Sequence, residues 1–436
     1  MPESIKLLMI ERKIDSMKVL VVGSGGREHA IVWAVSQSPR VSKIYCAPGN
    51  AGISQLAECV PIKVLEFEQL ADFAEQEKID LIMVAPDDPL CLGAVDYFTE
   101  RGLRAFGPVR AAAEIEGSKV FAKNLMKKYN IPTAAYEVFD SSMAAKNYLR
   151  SRNSYPAVIK AEGLALGKGV IIAQSEKEAF GAVDEIMEDR KFGDAGSRVV
   201  IEEFLTGQEV SVLAFTDGKT IVPLVSAQDH KRAKDGDEGL NTGGMGTFSP
   251  SRLYTKEIAE ECMQNIFLPT MNAMNAEGRT FRGVLYFGLI MTEQGVKVIE
   301  YNSRFGDPEA QVVLPRLDTD LLDIFDAVID GRLSELEIKW KEDAAVCVVL
   351  ASGGYPEQYT TGYPIIGMEE AEKLGAVLFH AGTKFNEKGQ IVTAGGRVLG
   401  VTAMGENLDK AIANAYKAVK KVHFENMHYR TDIGVK

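Results

Sequence analysis

Cysteine is scarce and scattered in this sequence: Cys46, Cys59, Cys91, Cys262 and Cys347 are odd in number and form no CxxC pair. That excludes a disulfide frame or a zinc site and fits reduced thiols in a cytoplasmic protein. Long apolar runs are missing too; none approaches the about 18 residues that a membrane-spanning helix needs. There is no basic excess. Lys and Arg number 49 against 61 Asp and Glu, a formal net charge of −12, so a nucleic-acid partner finds no basic face from which to release counterions. An anionic small molecule stays admissible, because local Arg, Lys and helix N-termini can hold it inside an acidic protein. Repeats and low-complexity linkers are also absent, so the domains are expected to pack as one body.

What is present is ordinary globular material, 46% hydrophobic and 25% charged over 436 residues, enough for roughly three domains. Residues 5–10 are too short for a secretory h-region, and Glu11-Arg12-Lys13 follows where a small-residue cleavage site would stand. Met17 then opens a strand, so residues 1–16 read as an alternative-start extension without function. Residues 18–22 are a continuous apolar run ending in Gly23-Ser24-Gly25-Gly26, followed by a helical pattern from Glu28 to about Gln37. Residues 43–47 and 79–85 are further strands, stopped by Pro48-Gly49-Asn50 and Pro86-Asp87-Asp88. Strands alternating with helices at this spacing predict βαβ units and a parallel sheet. Ligands of such sheets sit beyond the carboxyl ends of the strands, where all three stops fall.

After Gly117-Ser118-Lys119 the texture changes. Residues 120–129 read as a helix, 155–160 and 169–173 as strands flanking a Gly-rich loop, and 198–204 as a further strand. From 207 to about 330 strand and helix mix around loops at 228–250 and 300–315. Beyond about 340, short strands at 345–351 and 397–403 precede a final helix at 407–423.

Gly23-Ser24-Gly25-Gly26-Arg27-Glu28 is half of a dinucleotide fingerprint, since its amides can hold a phosphate at a helix N-terminus. Glu28 occupies the third glycine position, however, and the second strand ends without an acid for a ribose hydroxyl, which argues against NAD. A sugar phosphate beside Arg27 fits better; His29 reads as a satisfied structural histidine. The loop Ala161-Glu162-Gly163-Leu164-Ala165-Leu166-Gly167-Lys168-Gly169 is not a Walker motif: three residues separate its glycines and Gly169 stands where Ser or Thr would hold magnesium. It reads as a hairpin loop whose amides approach phosphates while Lys168 offsets charge, with Lys160 projecting toward the same phosphates. Residues 201–205 can offer a carbonyl and an amide to an adenine edge, with Glu209 in reach of ribose hydroxyls. Glu300 and Asn302 alternate on one strand face, and two oxygen ligands suit Mg²⁺ sharing a substrate's phosphates.

These residues together resemble the ATP-grasp enzymes and, more narrowly, the phosphoribosylamine–glycine ligase (glycinamide ribonucleotide synthetase) family, from about residue 17 to the C-terminus. The motifs that carry the resemblance are Gly25-Gly26-Arg27-Glu28-His29-Ala30, Ala47-Pro48-Gly49-Asn50-Ala51-Gly52, Gln228-Asp229-His230-Lys231-Arg232, Asn241-Thr242-Gly243-Gly244-Met245-Gly246 and Arg304-Phe305-Gly306-Asp307-Pro308-Glu309. The resemblance implies an α/β fold with an N-terminal parallel βαβ (pre-ATP-grasp, Rossmann-like) domain at 17–118. It further implies an ATP-grasp domain at 119–340 with a small lid at about 132–205, and a small C-terminal α/β domain at 341–436. The implied reaction joins glycine to 5-phosphoribosylamine with ATP, giving glycinamide ribonucleotide, ADP and phosphate. The chemistry agrees: a carboxylate becomes an electrophile only once phosphorylated, metal and lysines must offset phosphoryl charge, and a lid must exclude water.

By carry-over, Lys119, Lys160, Gly163, Gly167, Lys168, Gly169, Glu202, Glu203, Phe204, Leu205 and Glu209 hold ATP, and Glu300 and Asn302 hold Mg²⁺ or Mn²⁺. Asp229 sits at the substrate amine and Arg304 at the glycine carboxylate or the transferred phosphoryl; with Lys168 they form the catalytic set. Gly25, Gly26, Arg27, Glu28, Pro48, Gly49 and Asn50 face the ribose phosphate, and Gly243, Gly244, Asp307 and Glu309 complete the substrate site. No residue is needed as a nucleophile. The partners implied are small molecules only, with no nucleic acid and no membrane, for a chain acting as a monomer or at most a weak dimer. Departures from the family pattern are Asp87 in Pro86-Asp87-Asp88 for a usual Gly-Pro-Glu, Glu162 for Asp, Leu166 for Ala and Leu240 for Pro. The rivals are a carboxyaminoimidazole ribonucleotide synthase, separable by substrate, and a non-catalytic nucleotide sensor, against which Lys160, Lys168, Glu300 and Asn302 argue.

Overall fold

The computed structural model describes residues 16–152, 154–164 and 169–435. The expected extension at 1–16 therefore falls almost wholly outside the described residues. Strands Met17–Gly23, Val41–Pro48, Glu58–Cys59, Leu81–Val84 and Ala105–Phe106 pair in parallel, the first strand at the centre between the second and the fourth. Met17–Gly23 is buried almost throughout, as its unbroken apolar run requires of a strand covered on both faces. Helix Gly26–Ser36 starts directly after it; Glu28 accepts from the amide of Gly25 at 2.5 Å, the reciprocal half of a capping box whose N-cap glycine has no side chain to offer.

The middle of the chain builds two antiparallel sheets. One joins Ile221–Pro223, Gln208–Thr216, Gly283–Thr292 and Gly295–Asn302 in that order. The other joins Tyr136–Phe139, Val199–Glu203, Ala157–Ala161 and Val170–Ala173, with helices Ser142–Arg152 and Glu176–Val183 over a core of its own. Lys160 pairs with Val170 across an antiparallel register, so the Gly-rich loop is a hairpin connection, as its flanking strands imply.

The C-terminal sheet is not built from the C-terminal segment alone. Ala344–Ser352, Arg397–Gly405 and Val377–His380 are extended by Gly246–Ser249 and Gln228–Asp229 from the middle of the chain. Strand pairing thus crosses the expected division at 340/341. Helix Leu408–Val419 buries Ala411, Ala415, Ala418 and Val419 against that sheet, a stripe at helical spacing. Among the described residues, no helix is long and apolar enough to cross a membrane.

Candidate active site

A cavity of about 330 Å³ lies between the two antiparallel sheets. Its cationic end begins at helix Lys119–Lys128, which Ser118 caps by accepting from the amide of Phe121 at 3.0 Å. Lys119 and Lys123 stand one turn apart on that helix. Lys123 Nζ lies 3.0 Å from one oxygen of Glu202, and Lys160 Nζ 2.9 Å from the other, all three side chains being 3–4% exposed. Burial first, and then the nearby Lys160, push the Lys123 ammonium down to about 8 against the pull of Glu202. Lys160 also donates to the carbonyl of Ile299 at 3.3 Å, and Lys119 to that of Gly163 at 3.0 Å.

Beyond the lysines the wall turns apolar, with Met126, Val158, Ile172, Phe204, Leu205 and Ile290. Strand Val199–Glu203, paired on both sides, differs there from its expected use at one residue. The Glu203 amide donates to Ala135 and its carboxylate accepts from the amide of Ala135, both at 2.9 Å, so both are spent on strand pairing. Leu164 and Gly169 line the cavity on either side of the lysine loop; Gly167 and Lys168 lie outside the described residues.

Strand Gly295–Asn302 supplies the facing wall. Val296 and Val298 point into the core, and strict alternation would send Glu300 and Asn302 after them. Instead the register to the neighbouring strand shifts, Val298 opposing Leu289 but Glu300 opposing Gly288. This bulge at Ile299 turns Tyr301 into the core and leaves Glu300 and Asn302 in the cavity wall. Desolvation opposes the charge on Glu300, but Lys231, Lys160, Lys119 and Arg304 outweigh it and hold the carboxyl below its ordinary range. Lys231 Nζ stands 3.5 Å from Glu209 and 3.8 Å from Glu300. No group of three or more His, Cys, Asp or Glu able to hold a metal occurs among the described residues. Glu300 and Asn302 offer a carboxylate and a side-chain amide, the Asn302 oxygen also accepting from Arg304 at 3.3 Å; such a pair would suit a hard cation that takes its remaining oxygens from phosphates and water.

The far end gathers acids. Glu309 is buried and accepts from Ser211 at 3.1 Å and Tyr286 at 3.0 Å. Asp229 has one buried oxygen without a partner, and burial, then the nearby Glu309, raise its carboxyl well above the usual range. Gly244, at φ +112°, is required here: a Cβ would stand 2.7 Å from that same oxygen. Arg304 is held at 2.8 Å by Glu116 and at 3.8 Å by Asp87, while its Nε is buried without a partner. Asp307 accepts from Gln311 at 2.9 Å and meets Arg397 at 3.4 Å and the Arg27 amide at 3.4 Å. Arg397 also donates to the carbonyl of Gly243, whose amide donates to Tyr355 Oη at 3.0 Å.

Neither Gly25-Gly26-Arg27-Glu28 nor Pro48-Gly49-Asn50 is among the described lining residues of the cavity, and Arg27 links the first of these turns to it through Asp307. Glu28 is tied to Gly25 and to Arg27 Nε, the latter at 2.7 Å. Asn50 donates to the carbonyls of Ser24 at 2.8 Å and His380 at 2.9 Å, and accepts from Gly52 and Ile53. These two side chains brace the turns, and Arg27 also donates to the carbonyl of Phe305 at 3.3 Å. His29 accepts from the amide of His380 at 2.8 Å, a structural contact as its sequence setting implies.

Sequence reasoning missed Asp87, Glu116, Lys123, Lys231, Tyr355 and Arg397. Lys123 carried a signal, four residues after Lys119 on one helix face; Lys231 stood inside a quoted motif, and Asp87 inside a noted departure. Glu116, Tyr355 and Arg397 carried none.

This architecture is shared with biotin carboxylase from Campylobacter jejuni, solved as a complex with an ATP analogue, at a TM-score of 0.72 and 14% identity over 97% of this chain and 95% of that one. Residues 117–310 match the family described as phosphoribosylglycinamide synthetase, ATP-grasp (A) domain, which sets the class. The flanking segments match the N domain of the same family at 17–116 and its C domain at 345–436. A phosphoribosylamine–glycine ligase of Halalkalibacterium halodurans is 51% identical over 96% of this chain and 97% of its own length. The solved phosphoribosylamine–glycine ligase of Thermotoga maritima is 35% identical at a TM-score of 0.83, covering 95% of this chain and all 100% of that one. The chain belongs to the phosphoribosylglycinamide synthetase family.

Proposed function

We propose that this protein ligates glycine to 5-phosphoribosylamine with ATP, through a glycyl phosphate, giving glycinamide ribonucleotide, ADP and phosphate in purine biosynthesis. The observation that carries the reading is one cavity joining the cluster Lys119, Lys123 and Lys160, the Glu300–Asn302 face, and the acids Asp229 and Glu309. Phosphoryl donor, metal and amine can therefore meet in one chamber, which is what sequential acyl phosphate chemistry needs.

In this reading Lys119 and Lys160 hold the nucleotide phosphates, with Lys168 added from the loop. Phe204, Leu205 and the carbonyl of Glu203 border the base, and Glu209 serves the ribose. Glu300 and Asn302 hold Mg²⁺ or Mn²⁺, which when bound neutralises charge on the transferring phosphoryl group. Arg304 orients the glycine carboxylate as it attacks the γ-phosphorus and ADP leaves. Asp229, with its raised carboxyl pKa, takes the proton released as the amine attacks the acyl carbon and phosphate departs. The Asp307–Arg27–Arg397 junction and the two glycine turns receive the sugar phosphate. Residues of about 132–205 close as a lid, and the chain works in the cytoplasm on small molecules only, as a monomer or at most a weak dimer.

ADP release should require glycine and freshly generated phosphoribosylamine together. ADP formed with bicarbonate and aminoimidazole ribonucleotide, but not with glycine, would overturn the proposal.

A further inference from the structure

The hairpin of strands Arg232–Lys234 and Glu238–Asn241 carries cavity-lining residues at both feet, Lys231 on one side and Asn241, Thr242 and Gly243 on the other. It cannot hold itself in place. Only Ala233 of the hairpin is buried, Glu238–Asn241 is exposed throughout, and the register slips between Arg232 and Lys234. A two-stranded hairpin without an apolar face is marginal in water.

The end of the chain grips it. Arg430 is 0% exposed. Its Nε and Nη2 reach the Asp432 carboxylate at 2.7 Å each, Nη2 meets Asp237 at 2.9 Å, and Nη1 donates to the carbonyl of Arg232 at 3.1 Å. Asp432 also accepts from the amide of Gly236 at 2.9 Å, at the hairpin tip. Asp235 accepts from the amide of Thr431 at 2.7 Å and from its hydroxyl. Behind these contacts, Tyr416 Oη donates to the carbonyl of Arg430 and accepts from the amide of Ile433, both at 2.9 Å, fixing the tail to helix Leu408–Val419. A guanidinium buried this deeply is a poor source of net stability, because desolvation offsets the ion pairs. Its multiple, directional hydrogen bonds serve geometry better.

We infer that Arg430 is a positioning residue for the ligation, fixing the hairpin so that Lys231 stays opposed to Glu209 and Glu300 and Asn241–Gly243 stay at the cavity wall. The inference rests on the reading of that cavity as the ligation site. The clamp itself touches none of the groups assigned to the nucleotide; it reaches them only through Lys231, which faces Glu209 and Glu300, while Asn241–Gly243 carry its effect to the acceptor end.

The test compares full-length Arg430→Met, Arg430→Lys and Asp235→Ala with the unsubstituted chain, by amide hydrogen exchange and by KM for each substrate. In Arg430→Met, exchange should rise across residues 231–243 but not in the N-terminal sheet. Its kcat/KM for glycine and phosphoribosylamine should fall about 10- to 100-fold, with a smaller change in KM for ATP, felt only through Lys231 and Glu209. Arg430→Lys should restore part of the loss. Should Arg430→Met fail to fold, Asp235→Ala decides, since it removes both contacts to Thr431 and loosens the same hairpin from the surface. Unchanged exchange at 231–243, or an equal loss in every kinetic constant together with Tm, overturns the inference. Lys231→Met separates the two layers. Full rates there sink the reading of the cavity and the inference with it, whereas lost rates beside an unmoved hairpin in Arg430→Met sink the inference alone.

Discussion

Glu202 is the residue on which the cationic end of the cavity turns. It gives one carboxylate oxygen to each of two buried ammonium groups, Lys123 and Lys160. Removing it leaves two charges facing each other without solvent, and breaking a buried pair from one side costs about 3–5 kcal/mol. Glu202→Ala should therefore unfold at clearly lower urea concentration. Lys123→Met should do so far less, because Lys160 still neutralises the acid; equal midpoints for the two variants would contradict this shared-carboxylate account. Glu300 poses the opposite case, since Lys231, Lys160, Lys119 and Arg304 keep it ionised without consuming it. Glu300→Ala should keep its Tm and lose turnover by about 10²–10³-fold, the scale of a lost electrostatic contact in a transition state. A wild-type rate in that variant would remove it from the metal site. Residues of this kind were legible where a short motif held them together, as with Asp229, Arg304, Asp307 and Glu309. They were not legible where the fold alone brings them in: Arg397 and Tyr355 reach Gly243 from segments over a hundred residues away.

At the scale of the element, three strands of the parallel sheet and the Gly-rich hairpin could be read from the sequence because they are apolar runs beside Gly or Pro, whereas the two-residue strands Glu58–Cys59 and Ala105–Phe106 could not. The joining of Gln228–Asp229 and Gly246–Ser249 to Ala344–Ser352 could not. A strand of two residues shows no period, and a distant β partner leaves no mark on local pattern. The bulge at Ile299 was equally silent, although it decides which way the strand's polar residues face. Removing it makes a sharp test. Deleting Ile299 keeps Gly288 opposite Glu300 and makes the register continuous with Leu289 opposite Val298, so the sheet should survive. What is lost is the carbonyl to which Lys160 donates and the local twist that aims Glu300. The deletion should leave a cooperative melting transition but lower kcat/KM about 100-fold, the effect of a misplacement of about 1 Å at a reacting centre. Full activity in the deletion would mean that the bulge does no aiming.

Across the whole molecule, the N-terminal unit shares an apolar core with the rest of the chain, Phe106 lying against Phe325 within it, and two unlike seams run beside that core among the described residues. One is charged: Arg40 meets Asp323 and Asp326 at 2.6 Å each, and Arg104 meets Asp326 and Asp330 at 2.9 and 2.7 Å. These groups are partly exposed, and such pairs are worth little once screened by salt. The other seam is buried. His29 packs edge-on against Phe379, accepts from the His380 amide, and lies beside the His380 ring, while Asn50 donates to the His380 carbonyl. Burial, and then the neighbouring His380, lower the His29 imidazole from 6.5 to about 3; burial lowers that of His380 to about 4. Both are neutral in the folded protein. Above pH 6.5 the unfolded chain is neutral at these positions as well, so the seam's contribution is fully present. As pH falls below that value the unfolded chain takes up protons that the folded one refuses, and stability drops by about 1.4 kcal/mol per pH unit for each histidine. The loss continues to about pH 4 for His380 and about pH 3 for His29. His29→Asn offers a side-chain oxygen to the same amide without titrating. Urea unfolding between about pH 5 and pH 6.5 should show its slope with pH reduced by one proton's worth. An unchanged slope would mean that His29 already carries its proton in the folded chain, and that the seam joining the N- and C-terminal segments is wetter than its packing shows.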